Sequence, residues 1–277
     1  MGGVDIMSGR LAGKVAVVTG AGSRGAGIGN GKAAAILFAR EGAAVVCADQ
    51  IVARADETVA AILAEGGTAS SLACDVSHRE GCQQLAAAAV ERYGRLDILQ
   101  NNVGIPSDQS LEDITEEAWD HVMGVNVRSM VLAAQAVVPH MVAGGSGSII
   151  NLSSIAGLRA YPADHTAYTT SKAAIIGLTL ALAGQLGSKH VRVNCIAPGQ
   201  VYTPLVAEGL DAEGRERRAK AGLIKEEGNA WDIAWASVYL ASDEARWVTG
   251  QVLTVDAGLT ITIPGLLYGW GTKTYRA

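Results

Sequence analysis

The sequence is poor in charged residues and in cysteine. Only 18% of its 277 residues are charged, 49% are hydrophobic, and the formal net charge is −5. This composition allows a large apolar core and argues against disorder. It offers no strongly basic surface, so we predict no nucleic-acid partner. The four cysteines form no C-x-x-C pair and no zinc-like pattern with histidine, so we predict free thiols, a reducing compartment and no metal site.

Long apolar runs and a secretory leader are also missing. The first ten residues contain no apolar h-region of the kind that a signal peptide needs. The longest strongly apolar stretch, "AAIIGLTLALAG" (173–184), is too short to cross a bilayer. We therefore predict a soluble, cytoplasmic protein with no membrane partner.

What the chain has in abundance is short apolar runs that alternate with longer Ala/Leu-rich segments. The candidate strands are residues 14–19, 43–48, 68–74, 96–100, 147–152, 191–196 and 251–255. The candidate helices are residues 28–41, 53–65, 77–93, 115–143, 165–187 and 229–241. Ser77 with Glu80 resembles a capping box, and Asn229 is a candidate cap for the last helix. The alternation predicts a single α/β domain over residues 1–277, a doubly wound, seven-stranded parallel Rossmann-like sheet with helices on both faces.

Six glycines crowd the stretch "TGAGSRGAGIGNG" (19–31), between the first strand and the first helix. A glycine-rich turn that leads into a helix N-terminus is typical of a pyrophosphate-binding site. Two registers compete, the literal G-x-G-x-x-G of residues 20–25 and a stretched one with Gly20 at the turn and Gly27-Ile28-Gly29 at the helix opening. The spacing to Asp49 mildly favours the stretched register, in which Gly20, Gly27 and Gly29 are expected to be required by backbone geometry.

The end of the second strand bears on the choice of cofactor. Asp49 stands where an acidic ligand of the adenosine ribose is expected, and its carboxylate would repel a 2′-phosphate. Arg24, in the glycine loop, could instead pair with such a phosphate. Because Asp49 occupies the ribose position and Gln50 is uncharged, we predict NAD, with NADP less favoured.

A tyrosine and a lysine are four residues apart in the fifth candidate helix. Tyr168 and Lys172 therefore share one helix face. A neighbouring ammonium stabilises the phenolate and lowers the tyrosine pKa, which would let Tyr168 exchange a proton near neutral pH. Ser153 and Ser154 end the fifth strand, where a serine could bind a substrate oxygen.

Eight motifs occur together, in order and at characteristic intervals, and this combination is specific for one protein family. The sequence resembles a single-domain short-chain dehydrogenase/reductase over residues 11–260. The motifs are "TGAGSRGAGIG" (19–29), "CDV" (74–76), "NNVG" (101–104), "VNV" (125–127), "NLSSIAG" (151–157), "YTTSK" (168–172), "NCIAPGQVYTP" (194–204) and "TVDAG" (254–258).

The resemblance implies a role for each matched position. Ser154 would polarise the substrate oxygen, Tyr168 would act as general acid/base, and Lys172 would lower the tyrosine pKa and bind the nicotinamide ribose. Asn126 would hold a water that links Lys172 to solvent. The implied cofactor-binding residues are Gly20, Ser23, Arg24, Gly27, Ile28, Gly29, Asp49, Asp75, Val76, Asn102, Val103, Gly104, Tyr168, Lys172, Pro198, Gly199, Val201 and Thr203.

The chain departs from the family pattern in four places, one of which is Val103, where alanine is usual. The glycine motif is three residues longer than usual, Ser154 and Tyr168 are one residue further apart, and a tail (261–277) runs past the usual end. Tyr161, His165 and Tyr202 are candidate substrate contacts.

The resemblance also implies a substrate lid and an assembly. The lid would be formed by residues 205–228, which we call the lid segment. The cations at Arg215, Arg217, Arg218 and Lys220 could recognise an acid or a phosphate, or could form a solvated helix face. A homotetramer is implied, with helices 115–143 and 165–187 as the main interface, and Trp270 and Tyr275 of the tail could cover a neighbouring site.

Three functions remain open from the sequence. The first is an NAD(H)-dependent oxidoreductase that passes a hydride between a secondary alcohol or ketone and the nicotinamide, with Tyr168 as general acid/base. The second is an NADPH-dependent 3-oxoacyl reductase. It differs from the first only in that Arg24, rather than Asp49, would decide which cofactor is bound. The third is a non-catalytic NAD-binding regulator, against which the complete set of Asn126, Ser154, Tyr168 and Lys172 argues.

Overall fold

A parallel sheet of seven strands forms the centre of the molecule in the computed structural model, which describes residues 9–160 and 165–262. The strands are β1 (Val15–Thr19), β2 (Ala44–Asp49), β3 (Thr68–Ala73), β4 (Ile98–Asn101), β5 (Gly147–Leu152), β6 (Val191–Pro198) and β7 (Val252–Val255). Their order across the sheet is 3-2-1-4-5-6-7, and every neighbouring pair is parallel. All seven predicted strands are confirmed, and so is the doubly wound α/β fold.

Nine α-helices connect and cover the strands in the described part of the chain. They are α1 (Asn30–Arg40), α2 (Val52–Ala64), α3 (Arg79–Tyr93), α4 (Glu116–Met123), α5 (Ser129–Ala143), α6 (Thr166–Leu186), α7 (Pro204–Ala207), α8 (Ala212–Ala219) and α9 (Ala230–Ala241). The predicted helix 115–143 is α4 and α5 joined by a π-helical turn at Gly124–Arg128. The short helices α7 and α8 lie in and beside the lid segment, which the sequence pattern left without elements.

Two apolar cores, one on each face, result from the alternation of side chains along the buried strands. On one face, strand residues such as Val18 and Val45 pack with α1, α2 and α9. On the other, residues such as Val17 and Val46 pack with α3, α5 and α6. Because both faces are covered, the central strands are mostly apolar, as expected for a parallel sheet, and their few polar side chains, such as Asn151 and Asn194, are buried.

The two predicted caps had different outcomes. Asn229 forms a capping box at the start of α9, because its side chain accepts from the Trp231 N–H and the Asp232 carboxylate accepts from the Asn229 N–H. The prediction of a capping box at Ser77 is wrong. Helix α3 begins at Arg79, and the Ser77 hydroxyl donates to Asp75 Oδ1 at 2.7 Å instead, since a carboxylate two residues back accepts both its N–H and its O–H.

The stretch Glu116–Ala143 is one continuous helical segment of 28 residues. By length and composition it could cross a membrane, which the search for apolar runs in the sequence did not reveal. A core helix passes the same test, and this segment packs on α3 and α6. All four cysteines are free thiols, as predicted, and all four are buried.

Candidate active site

A cavity of about 540 Å³ opens at the carboxyl ends of the strands. It extends from Asp49 and Asp75, which follow β2 and β3, to Ser154 after β5 and Tyr168 on α6. Ligand sites in doubly wound sheets lie at this edge, where loops and helix N-termini face one another.

The glycine-rich stretch leads into helix α1, which begins at Asn30 with Gly29 as its N-cap. Gly20 and Gly27 have positive φ angles of 62° and 109°, conformations that favour glycine. Gly25 has no positive φ, and a Cβ there would meet nothing within 4 Å. The helix start and these angles support the stretched register.

Two glycines are required by close packing: Gly31, which the sequence did not single out, and Gly22, which belongs to the literal G-x-G-x-x-G of residues 20–25. A Cβ on Gly31 would lie 2.0 Å from the Gly20 carbonyl oxygen, and one on Gly22 would lie 2.3 Å from Arg54 Cβ. Gly29, by contrast, is extended, and a Cβ there would make only ordinary contacts, the nearest at 3.5 Å from Ser23 Oγ. The expectation that backbone geometry requires Gly29 is therefore wrong.

The amino end of α1 can accept an anion. Asn30 and Gly31 line the cavity, and no side chain caps this helix. The Gly29 N–H donates to Ser23 Oγ at 2.9 Å, which fixes the loop against the helix start. The N–H groups of the first turn and the positive end of the helix dipole thus face the cavity, an arrangement suited to a pyrophosphate.

At the far end of the cavity, Asp49 is held by the backbone. Its two carboxylate oxygens accept from the Gly22 N–H at 3.2 Å and from the Ile51 N–H at 3.0 Å. Arg24 and Arg54 line the same end of the cavity, and no sequence signal had pointed to Arg54. Negative and positive groups therefore stand side by side where the adenosine ribose is expected.

Asp75 also keeps its charge. Burial raises the pKa of its carboxyl, but the hydrogen bonds from Ser77 and the nearby His78 outweigh burial and lower the pKa overall. Asp75 is thus suited to accept a hydrogen bond from a ligand such as an adenine amine.

The end of β5 and the start of α6 form what we call the cavity floor (residues 152–157 and 166–172). Lys172 is 5% exposed, and its Nζ donates to the Leu152 carbonyl oxygen at 3.0 Å. The same Nζ lies 5.6 Å from the centre of the Tyr168 ring. Tyr168 and Lys172 therefore lie together on one helix face, as their spacing predicts.

Burial lowers the pKa of Lys172 from 10.5 to about 8. An ammonium of lowered pKa is still mostly charged at neutral pH, yet it is poorly solvated. Its charge therefore acts strongly on neighbours, Tyr168 among them.

The two serines after β5 have different partners. Ser153 is buried and its hydroxyl donates to the Lys172 carbonyl oxygen at 2.6 Å, so it ties β5 to α6. Ser154 lines the cavity, and its Oγ accepts from the Ala156 N–H at 3.1 Å. Because that oxygen accepts there, its own hydrogen can be donated into the cavity.

Asn126 lies in the π-helical turn and is fully buried. Its amide donates to the Ile105 carbonyl oxygen at 3.0 Å and to Ser171 Oγ at 2.9 Å, and its oxygen accepts from the Ile105 N–H at 2.8 Å. The side chain thus joins the loop after β4 to α6. The water that the resemblance assigns to Asn126 stays a prediction.

The cavity brings together most of the residues predicted to bind cofactor or substrate. Those that line it are Gly20, Ser23, Arg24, Gly29, Asp49, Asp75, Val76, Asn102, Val103, Gly104, Ser154, His165, Tyr168, Lys172, Pro198, Gly199, Val201 and Thr203. Gly27, Ile28, Asn126 and Tyr202 do not line it. Ile28 packs against the core instead.

The three candidate substrate contacts differ in position. His165 lines the cavity, with Nδ1 hydrogen-bonded to the Ser107 carbonyl oxygen and its ring 5.9 Å from that of Tyr168. Tyr202 is turned away because its ring packs under the Arg215 guanidinium, 3.8 Å from the ring centre. Tyr161, like Trp270 and Tyr275, lies outside the described residues.

Two side-chain oxygens at the cavity fit a polar ligand. Asn30 Oδ1 and Gln200 Oε1 are buried and have no hydrogen-bond partner within the described ranges. Buried polar atoms are normally satisfied, so a ligand with donor groups suits them. The uncapped helix, the buried oxygens and the cavity volume together fit a dinucleotide. No cluster of three or more potential metal ligands is found among the described residues.

Comparison with known proteins identifies the family. The family model described as Enoyl-(Acyl carrier protein) reductase matches residues 24–260. A 3-oxoacyl-[acyl-carrier-protein] reductase of Thermotoga maritima is 38% identical, over 91% of this chain and all of its own. A 2,5-dichloro-2,5-cyclohexadiene-1,4-diol dehydrogenase of Sphingobium indicum is 37% identical, over 93% of this chain and all of its own.

Solved structures agree with these relatives. A putative short-chain dehydrogenase/reductase from Burkholderia xenovorans superposes with a TM-score of 0.87 at 38% identity, covering 92% of this chain and 99% of its own. A 7α-hydroxysteroid dehydrogenase complexed with NADH and 7-oxo glycochenodeoxycholic acid gives 0.85 at 36% identity, covering 90% and 95%.

Fold, cavity and relatives define an oxidoreductase that uses a nicotinamide cofactor and acts on CH–OH or keto groups. The chain belongs to the short-chain dehydrogenase/reductase family.

Proposed function

We propose that this enzyme interconverts a secondary alcohol and a ketone with NAD(H), and that Tyr168 is the general acid/base. The observation that carries the proposal is that one cavity joins Asp49 and the uncapped start of α1 to Ser154, Tyr168 and the buried Lys172. Cofactor-binding and proton-handling groups thus line a single space.

The residues of the cavity floor suggest the following division of labour. Bound nicotinamide would supply hydride transfer. Ser154 would donate its hydrogen to the substrate oxygen and hold it beside the Tyr168 hydroxyl. In oxidation Tyr168 would accept the alcohol proton, and in reduction it would return a proton to the oxygen. The Lys172 charge would favour the phenolate, which brings the tyrosine pKa toward neutral pH.

Two observations support NAD over NADP. Asp49 lines the cavity with its carboxylate fixed by two backbone N–H groups, so it can accept from a ribose hydroxyl and would repel a 2′-phosphate. The similar 7α-hydroxysteroid dehydrogenase was solved with NADH. Arg24 and Arg54 are the opposing features.

The second candidate is an NADPH-dependent 3-oxoacyl reductase, which the Thermotoga maritima relative favours. This candidate uses the same cavity floor and differs in the cofactor that the adenosine end of the cavity would prefer. A non-catalytic regulator is the least favoured, since it would not need a buried lysine beside a tyrosine.

The resemblance supports further proposals about organisation. These are a single domain over residues 1–277, a mobile lid at 205–228, a C-terminal tail at 261–277, a homotetramer and a cytoplasmic location. Residues 263–277 of the tail lie outside the described residues.

Replacing Tyr168 by Phe tests the mechanism. We expect kcat for ketone reduction to fall by about 100- to 10,000-fold, because the proton donor is lost while the ring is kept. The NADH dissociation constant should stay within about twofold. Thr170→Ala, on an exposed position of the same helix, is the control. Unchanged turnover in Tyr168→Phe would refute the role of Tyr168.

Measuring the dissociation constants of NADH and NADPH tests the cofactor. We expect NADH to bind at least about tenfold more tightly, and Asp49→Asn to narrow that ratio because a neutral amide does not repel a phosphate. Tighter NADPH binding by the wild-type protein would favour the 3-oxoacyl reductase alternative.

A further inference from the structure

The five cations of the lid segment have different surroundings, and one of them, Lys225, donates to the Lys220 and Gly222 carbonyl oxygens. Arg215 is fully engaged: its guanidinium donates twice to Glu227, at 2.6 Å each, and lies over the Tyr202 ring. Arg217 pairs with Glu213 at 2.7 Å, and Lys220 pairs with Glu216. These last two pairs are one helical turn apart and exposed to solvent.

Arg218 is the lid cation that lines the cavity. It is half-buried, and its hydrogen bond, from Nη2 to the Val201 carbonyl oxygen, is long at 3.4 Å. Leu205 and Val206 also line the cavity. Because Arg218 is half-buried, its charge is less screened by water than that of an exposed arginine, so a charge partner there would be bound more strongly than on the open surface.

In the part of the chain that the structure describes, no acidic side chain lines the cavity beside Arg218. Among the described residues, the carboxylates that line the cavity are Asp49 and Asp75, at the ends of β2 and β3. Glu227 is close enough for the Arg218 charge to contribute to its lowered pKa, but the Arg215 hydrogen bonds are the largest cause. Both Glu227 oxygens accept from Arg215, and Arg218 lines the cavity.

We infer that Arg218 binds an anionic oxygen group of the substrate, so that the substrate is an oxo or hydroxy compound with a carboxylate or phosphate group. The inference rests on the proposed function, because it places the reacting carbon at Ser154 and Tyr168 of the same cavity. A planar guanidinium matches both groups with paired hydrogen bonds. The rival partner is a phosphate of the cofactor.

The test compares acids with their uncharged esters. Wild type, Arg218→Gln and Arg218→Lys are assayed with acetoacetate, levulinate and longer oxo acids, each beside its methyl ester. Arg217→Gln, on the exposed face of the same helix, is the matched control. NADH dissociation constants are measured for every variant.

We expect the wild type to prefer at least one acid over its ester. Arg218→Gln should lower kcat/KM for that acid by about 10- to 100-fold, mainly through KM, and leave the ester within about twofold. Arg218→Lys should keep part of the preference, and Arg217→Gln all of it. If inorganic phosphate inhibits the wild type but not Arg218→Gln, phosphate is the preferred group. If inorganic phosphate does not inhibit the wild type, carboxylate is the preferred group.

Other outcomes overturn the inference. Equal use of acids and esters by the wild type, or equal losses on both in Arg218→Gln, would rule out anion recognition. A weaker NADH affinity in Arg218→Gln would assign Arg218 to the cofactor.

A binding measurement separates this inference from the proposed function. Levulinate and phosphate are titrated calorimetrically into the enzyme–NADH complex. If no ketone is turned over, the proposed function fails, yet binding that needs Arg218 still supports the inference. No binding, or equal binding by wild type and Arg218→Gln, overturns it.

Discussion

The cavity floor and the lid segment face the same space but are held in place differently. The floor is tied by buried bonds, from Ser153 to the Lys172 carbonyl oxygen and from Lys172 Nζ to Leu152. The lid segment is held by ion pairs at the surface and by backbone hydrogen bonds from Leu223 and Ile224 to the Ala257 carbonyl oxygen, and the Leu223 and Ile224 side chains are exposed. Surface pairs contribute little to stability, whereas buried bonds are costly to break.

The difference indicates a division of roles. The chemistry that we propose needs Tyr168 and Lys172 within a fraction of an ångström of one position, which only a closely packed floor can fix. Substrate choice can change through side chains on a segment that contributes little to folding. The predictions below test this contrast, from the largest expected effect to the smallest.

A pair of glycines tests how tightly each region is packed. A Cβ on Gly157 would lie 2.6 Å from the Lys172 carbonyl carbon, whereas one on Gly209 in the lid segment would meet nothing within 4 Å. We expect Gly157→Ala to cost about 1–3 kcal/mol of unfolding free energy and about 100-fold in kcat, because the turn at Ile155–Gly157 and α6 must separate. Gly209→Ala should change neither. Urea denaturation and steady-state kinetics measure both, and a neutral Gly157→Ala would refute close packing of the floor.

Replacing the buried Lys172 tests how much its charge destabilises the folded protein. We expect Lys172→Met to abolish turnover and to raise the unfolding free energy at pH 7 by about 1–2 kcal/mol. The lowered pKa corresponds to about 3 kcal/mol of destabilisation, since one pKa unit is about 1.4 kcal/mol, and the lost hydrogen bond to Leu152 offsets about 1 kcal/mol.

The direction in which the unfolding free energy changes with pH follows from proton binding by Lys172 in the folded and unfolded chains. Below the folded pKa of about 8, the folded and unfolded chains both hold the lysine proton, so the wild type bears the full cost of a buried charge. Between about 8 and the unfolded value of about 10.4, only the unfolded chain holds it, so wild-type stability rises with pH. The advantage of Lys172→Met should therefore shrink over that interval in urea denaturation series. A difference that does not vary with pH would contradict the lowered pKa.

The smallest effect is expected in the lid segment. Glu213→Gln removes the partner of Arg217, four residues away on an exposed helix face. We expect the melting temperature and kcat to stay within error, since the pair is screened by water. A clear fall in the melting temperature or in kcat would show that the surface ion pairs of the lid segment contribute to stability or to catalysis.

Much of the fold was predictable from local patterns. Most of the strands are rich in apolar residues because both faces of the sheet are covered, and this signal is strong in single segments such as β1 and β2. The start of α1 and the shared face of Tyr168 and Lys172 also follow from short-range spacing. Strand ends moved by one or two residues, because sheet hydrogen bonds extend wherever a neighbouring strand continues.

The rest depended on residues distant in sequence. Gly31 must be glycine because the Gly20 carbonyl lies against it, and Gly157 because α6 crosses it. Tyr202 is turned from the cavity because Arg215, thirteen positions later, covers its ring. No local pattern distinguishes Arg218 from Arg217 or Arg215.

By itself, the sequence determined the parallel sheet, the glycine turn and the tyrosine–lysine pair, because periodicity and spacing act within a few residues. Only the tertiary structure decided that the lysine is buried with a lowered pKa, which glycines are compressed and which lid arginine faces the cavity. Burial and close approach are set by packing between segments far apart in the chain, and that packing exists only once the chain has folded.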